Sequence, residues 1–209
     1  MPDQVRHNGN CKASGDTALA LWWILVRVIG GTLKKRRLHP LRGQEIRPTT
    51  DYLRESIFNI VANRVEDAVV LDLFAGTGSL GIEALSRGAA SAVFVDSQVQ
   101  SIRSLAKNIS TCGLEGKSTV LRQDILRGLG FLRALDRAFD LVFMDPPYNK
   151  GFAERTMQLL ERSTCVAQGA CVVVEHSTRE PLPDKVGPFE RIDHRQKGKT
   201  VVSFFESVL

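Results

Sequence analysis

Five short strand-like runs, most of them apolar but for a single aspartate, punctuate the middle of this chain: Val69–Phe74, Ala92–Asp96, Ser118–Asp124, Phe139–Met144 and Ala170–Val174. Between them, Ser79–Arg87, Val99–Cys112 and Phe152–Arg162 carry helical periodicity, and a short helix is expected after Asp124. Strands that are apolar throughout are buried on both faces. Strand–helix alternation at these lengths therefore dictates a parallel sheet covered by helices on both sides. The rhythm breaks at the end. Arg191–Arg195 and Thr200–Phe205 both read as strands, yet only Gln196-Lys-Gly-Lys199 joins them. A parallel crossover needs about a dozen residues or more, so this pair must be an antiparallel hairpin.

At 209 residues the chain is long enough for one well-buried domain with a small appendage and too short for two. Its charge is unevenly placed. Between Arg27 and Arg54 eight cations face only Glu45 and Asp51, a local net of +6 against +5 for the whole chain, so the remainder sums to −1. Cys11, Cys112, Cys165 and Cys171 lack C-x-x-C spacing, which fits reduced thiols of a cytoplasmic protein, and no metal site is expected. The apolar run Ala18–Leu25 is far shorter than the roughly 20 residues of a membrane span. It also lacks the flanks of a signal peptide. Residues 1–25 are expected to be an extension outside the native fold.

Upstream of the alternating region, Val26–His39 alternates around Gly30-Gly31 and predicts a strand or hairpin carrying the basic cluster. Thr49-Thr-Asp51 supplies cap-type residues ahead of Leu53, Ile57, Ile60 and Val61, which share a helical face.

Gly76-Thr-Gly78-Ser-Leu-Gly81 follows the first parallel strand and opens a helix. Glycines there allow a tight turn and let backbone amides approach a ligand at a helix N-terminus. Asp96 ends the next strand, where its carboxylate can accept hydrogen bonds from both hydroxyls of an adenosine ribose. The loop alone fits a dinucleotide or S-adenosylmethionine. Asp72, four residues before Gly76, is an awkward neighbour for phosphates but suits the cationic amino group of a methionine moiety. The antiparallel terminal hairpin also departs from the all-parallel dinucleotide domain. Asp124, ending the third strand, is placed either to accept from an adenine amino group or to cap the following helix.

Asp145-Pro-Pro-Tyr148 ends the fourth strand. Two prolines have no N–H to donate, so this turn presents acceptors. An exocyclic base amine has two N–H donors and a lone pair delocalised into its ring, which makes it a poor nucleophile. Acceptance of both hydrogens, by the Asp145 carboxylate and the Pro146 carbonyl, would orient the nitrogen and favour its change from planar to tetrahedral. Tyr148 can stack on the base, a contact worth about 1–3 kcal/mol. Alignment in a dry site, rather than a strong base, would supply most of the acceleration.

Leu71-Asp-Leu-Phe-Ala-Gly-Thr-Gly-Ser-Leu-Gly81 together with Asp145-Pro-Pro-Tyr148 resembles the class I amino-methyltransferases. Arg27-Val-Ile-Gly-Gly31, the stretch Arg47–Asn59 and Gly198-Lys-Thr200 resemble one branch, the bacterial small-subunit ribosomal RNA guanine-N2 methyltransferases. The similarity runs from about Val26 to the C-terminus. It implies an α/β, Rossmann-like, mostly parallel seven-stranded sheet with an antiparallel C-terminal hairpin and a small N-terminal β-hairpin arm. The arm would span 26–48 and the methyltransferase domain 49–209. It further implies S-adenosylmethionine bound by Asp72, Phe74, Ala75, Gly76, Gly78, Asp96 and Asp124. Catalysis would fall to Asp145, Pro146, Pro147 and Tyr148, with guanine 966 of 16S RNA, naked or in the assembling small subunit, as target.

Lys34, Lys35, Arg36, Arg37, Arg42 and Arg47 are the expected RNA-contacting cations of the arm, beside the domain rather than within it. Such contacts position RNA without specifying the base. The target base must leave its stack to reach Tyr148. The residues also admit an adenine-N6 methyltransferase, a nicotinamide-dependent oxidoreductase opposed by the terminal hairpin, and a non-catalytic RNA-binding assembly factor.

Overall fold

The structure is a computed structural model that describes residues 26–41 and 51–208. Residues 1–25, Arg42 and Arg47, on which several expectations above rest, lie outside the described residues. Strands β1 (Val69–Leu73), β2 (Ser91–Asp96), β3 (Ser118–Arg122), β4 (Phe139–Met144) and β5 (Val166–Ser177) pair in parallel. Then β6 (Lys185–Val186), β7 (Phe189–Lys197) and β8 (Thr200–Ser207) complete one sheet in the order β3-β2-β1-β4-β5-β8-β7-β6. The last three pairings, β5 with β8, β7 with β8 and β6 with β7, are antiparallel. The expected hairpin closes where Lys197 pairs Thr200, with Gly198 at a φ of 60° in the tight turn.

The sheet is covered on both faces. Against one face lie α1 (Asp51–Ile60), α2 (Ser79–Ser86) and α3 (Val99–Cys112), packing Phe58, Ile82 and Leu105 onto Val70, Phe94 and Phe143. Against the other lies α4 (Phe152–Glu161), packing Met157 and Leu160 onto Leu71, Val142 and Val172. Successive residues of β1 thus enter different cores, which is why the strand reads as apolar without alternation. Among the described residues no helix is long and apolar enough to cross a membrane.

Three features depart from the sequence reading. An eighth strand, β6, joins the expected seven; at two residues it is too short to leave a periodic trace. The helix expected after the third strand is a pair of 3-10 turns, Ile125–Arg127 and Gly130–Leu135. Gly128, at a φ of 122°, separates them and cannot continue a helix. The basic segment, expected as a hairpin beside the domain, is packed onto it. Val26, Val28 and Leu38 are buried in the core, and the chain doubles back through one antiparallel bridge, Arg27 to Arg37. What holds it is Glu83 of α2, which is fully buried and accepts from the Ile29 and Gly30 amides, each at 2.7 Å.

The helices α2 and α3 start near the carboxyl ends of the strands and run back towards the amino ends. The Thr32 amide donates to the Ser86 carbonyl, and Arg36 lies close enough to Cys112 to oppose the burial that pushes its thiol up. The turn bearing Lys34–Arg37 is therefore seated at the C-terminal ends of α2 and α3. That is the amino end of the sheet, about 12 Å along α2 from the glycine loop.

Candidate active site

In the register, Leu73 of β1 pairs Val95 of β2 on one side and Met144 of β4 on the other. The glycine loop, Asp96 and Asp145 thus leave three adjacent strands at one level. Sequential connections diverge here, β1 to β2 one way and β4 the other, and such a switch point opens a crevice at the carboxyl ends of the strands.

Phe74, Gly76 and Gly78 all have left-handed backbone, with φ of 60°, 54° and 79°. Such a φ is uncommon for a phenylalanine, and its cost is held in place by the surrounding hydrogen bonds. The Ala75 amide donates to the Val95 carbonyl at 3.0 Å, and the Gly76 amide donates to Asp96 Oδ2 at 2.9 Å. A Cβ on Gly76 would meet only the Phe74 carbonyl, at 3.9 Å, so the space over this turn is open. The other two glycines serve packing. A Cβ on Gly78 would come within 2.4 Å of Leu105, and one on Gly81 within 2.3 Å of Phe94.

Asp72 is buried beneath the loop and accepts from the Gly81 amide at 2.9 Å, satisfying a first-turn donor of α2 that no side-chain cap reaches. Burial raises its carboxyl to about 8, the Gly81 hydrogen bond opposes this, and the nearby Asp96 charge adds to it. Asp96 also accepts from the Gln98 amide at 2.8 Å. Asp124 reaches the same edge but is exposed. It accepts from the Leu126 amide at 3.1 Å and pairs with Arg127 at 3.4 Å, so the capping alternative describes its contacts.

At the fourth strand Asp145 is partly buried, Pro146 buried and Pro147 exposed. The Tyr148 hydroxyl donates to Glu175 at the end of β5 and lies 3.4 Å from Thr200 Oγ1 at the start of β8. Burial and the Glu175 charge push the phenol well above its ordinary value, so it stays a neutral donor. Beyond it, Glu180 accepts from the Asn149 amide and, at 2.6 Å, from the Gly151 amide. The loop after β4 is thus held by two carboxylates, Glu175 and Glu180, that sequence reading missed. Asn108 of α3, also missed, donates to the Thr77 carbonyl at 2.9 Å and accepts from the His39 amide at 2.6 Å. It ties the basic segment to the glycine loop. A cavity of about 410 Å³ lined by Leu129, Arg133 and Cys165 opens at the other end of β4, where the Phe139 amide meets the Cys165 carbonyl, away from this cluster.

A glycine loop on the first strand, an Asp-Pro-Pro-Tyr turn on the fourth and an antiparallel terminal pair define a class I methyltransferase fold. The chain belongs to the family described as Conserved hypothetical protein 95, whose model matches residues 26–206. It is similar to ribosomal RNA small subunit methyltransferase D of Escherichia coli strain K12, with 37% identity over 158 residues, 76% of this chain and 78% of that protein. The protein of the same name from Haemophilus influenzae is 35% identical over 161 residues, 75% of this chain and 81% of its own. Among solved structures, the hypothetical protein TTHA0928 of Thermus thermophilus superposes with a TM-score of 0.73 at 27% identity, covering 86% of this chain and 98% of that one. An RNA methyltransferase from Salinibacter ruber, in complex with S-adenosyl-L-homocysteine, shares the fold at a TM-score of 0.57 and 15% identity, over 77% of this chain and 93% of that one. The family resemblance read from the motifs is borne out.

Proposed function

We propose that this protein transfers a methyl group from S-adenosylmethionine to the exocyclic N2 of a guanine in small-subunit ribosomal RNA, guanine 966 being the nucleotide the resemblance implies. The observation that carries this reading is the juxtaposition of Asp96, the open turn at Gly76 and the Asp145–Tyr148 turn at one switch point. The relatives named ribosomal RNA small subunit methyltransferase D support the substrate class.

The residues present fit the cofactor. Asp96 offers ribose acceptors, and the left-handed turn at Gly76 leaves room above it. Phe74, Ala75 and Gly78 shape the turn, and Asp72 holds it from beneath while favouring a cationic ligand. Asp124 has exposed acceptor capacity at the adenine end of the crevice. The cofactor supplies a methyl group activated by its sulfonium centre.

On the substrate side, Asp145 and the Pro146 carbonyl accept the two N–H bonds of the guanine amine and aim its nitrogen into the crevice. The proton lost as the new N–C bond forms departs along the hydrogen bond to Asp145. Pro147 keeps the turn free of a competing donor. Tyr148 presents its ring to the base while Glu175 and Thr200 fix its hydroxyl. Cations of the basic segment, Lys34, Lys35, Arg36 and Arg37 with Arg42 and Arg47, add phosphate contacts away from the reacting base.

The test is methylation of 16S RNA and of small-subunit particles taken from a strain that lacks the enzyme, with the modified nucleotide mapped by mass spectrometry. One N2-methylguanine, at position 966, is expected. A methyl found on adenine N6, or no transfer to either substrate, would overturn the proposal.

A further inference from the structure

The tip of the basic segment, Thr32–Arg36, sits at the amino end of the sheet, whereas Tyr148 lies at the carboxyl end. The substrate therefore needs a second surface beside Tyr148. Three loops surround that residue, and each contributes exposed cations: Lys150 after β4, Arg179 after β5, and Lys197 and Lys199 at the β7–β8 turn. Hydrogen bonds join the loops into one rim. The Thr178 amide donates to the Lys199 carbonyl at 3.0 Å, Glu180 binds the Asn149 and Gly151 amides, and Thr200 lies beside the Tyr148 hydroxyl.

Resting on the reading above, we infer that Lys150, Arg179, Lys197 and Lys199 form a phosphate-binding rim that grips the RNA strand on either side of the base presented to Tyr148. Among the described residues none of the four enters an ion pair. The acids nearby are engaged elsewhere, Glu180 by backbone amides, Glu175 by Tyr148 and Asp193 by Arg195. Four cations of one sign around a crevice mouth focus a positive field on it. Their structural alternative is weak, since among the described residues no helix C-terminus there asks for positive charge. The rim is also braced. Lys197 Nζ lies 4.2 Å from the ring centroid of Tyr52, a residue of α1 that is 64% exposed, so the hairpin tip is held across the mouth by a cation–π contact. An exposed cation kept in place rather than left to swing loses less freedom when it meets a phosphate.

The test compares two quadruple variants of the full chain, K150A/R179A/K197A/K199A in the rim and K34A/K35A/R36A/R37A in the basic turn, with the parent. Binding to 16S RNA is measured across a salt series, and methyl transfer to the same RNA is counted in parallel. Each lost phosphate contact reduces the log–log salt slope by roughly 0.7–0.9, so the rim variant is expected to lose about 3. Its S-adenosylmethionine affinity should match the parent, and its melting temperature should fall by no more than about 4 °C, since only exposed cation–π contacts of Lys150 and Lys197 are lost. A variant with arginine at Lys150, Lys197 and Lys199 should keep the parental slope. An unchanged slope in the rim variant, or a larger loss in the basic-turn variant, would overturn the inference. A parent that binds RNA with a rim-dependent slope yet transfers no methyl to it would overturn the functional reading and leave the rim standing as an RNA surface.

Discussion

The two ends of the parallel sheet both carry exposed cations, but their surroundings differ. At the amino end, Lys34–Arg37 sit on a turn seated at the C-termini of α2 and α3. Helix C-termini carry partial negative charge and favour cations by about 0.3–1 kcal/mol each, so this cluster has a structural reason to be basic. At the carboxyl end, Lys150, Arg179, Lys197 and Lys199 meet no such helix end among the described residues, and the carboxylates beside them are spent on positioning Tyr148 and its loop. Charge density along the sequence points to the amino end, whereas the proposed rim is scattered over three loops at the carboxyl end. The amino end is built around buried anchors, and the carboxyl end around groups kept open to a ligand.

If that division holds, the two ends separate stability from chemistry, and Asp145 gives the largest expected effect. Asp145→Ala should leave the melting temperature and cofactor affinity near the parent while single-turnover methyl transfer falls by at least about 100-fold, some 2.7 kcal/mol of barrier. Loss confined to the rate marks an interaction made chiefly in the transition state. A rate within about twofold of the parent, or ~0.4 kcal/mol, would remove Asp145 from the mechanism.

The opposite separation is expected at Glu83. Its carboxylate binds the Ile29 and Gly30 amides and Arg87 Nε, all at 2.7 Å, and it is fully buried. Glu83→Ala leaves two backbone donors and a guanidinium without that acceptor, at a cost of about 2–4 kcal/mol. For a chain of this size the melting temperature should drop by roughly 5–15 °C. Single-turnover methyl transfer, measured well below the transition, should stay within about twofold of the parent. A collapse of the rate alongside the melting temperature would show that the ends are coupled, with Asn108, which touches both His39 and Thr77, as the connection.

How much of this was legible follows from where each signal lies. Asp96 and Asp145 stand out because a carboxylate at the end of an apolar strand has little structural purpose. Glu175, following Cys171-Val-Val-Val174, carries the same signature, but its partner Tyr148 lies in the loop after another strand and nothing in the spacing announces the pair. Glu83 interrupts the apolar text of α2, which hints at a buried partner; that partner is a backbone turn 53 residues upstream, invisible to periodicity. Glu180 stands in Arg-Glu-Pro and reads as an ordinary surface turn. The sheet itself was legible because burial on both faces writes continuous apolar runs. The two-residue β6 and the 3-10 turns around Gly128 write none.

The smallest effect per step is expected at Asp72, which lies on the boundary between the two regimes, being buried like an anchor yet placed under the ligand loop. Burial lifts its carboxyl to about 8, against an ordinary value of 3.8. Because the folded form holds the proton more tightly than the unfolded chain, the stability contribution is full below the unfolded value. It declines as pH rises from about 4 and levels off above about 8, by at most ~1.4 kcal/mol per pH unit. Asparagine keeps an oxygen for the Gly81 amide and removes the ionisation. The melting temperature of Asp72→Asn should therefore gain on the parent between pH 5 and 8, by at most roughly 3–5 °C per unit. A cationic ligand stabilises the ionised carboxylate, so S-adenosylmethionine binding to the parent should release a proton and tighten as pH approaches 8. In Asp72→Asn calorimetry should find neither the release nor the tightening. A melting-temperature gap that stays flat from pH 5 to 8 would mean that Asp72 is ionised throughout. It would then be a permanent charge at the carboxyl end, part of the ligand site rather than a pH-sensitive support beneath it.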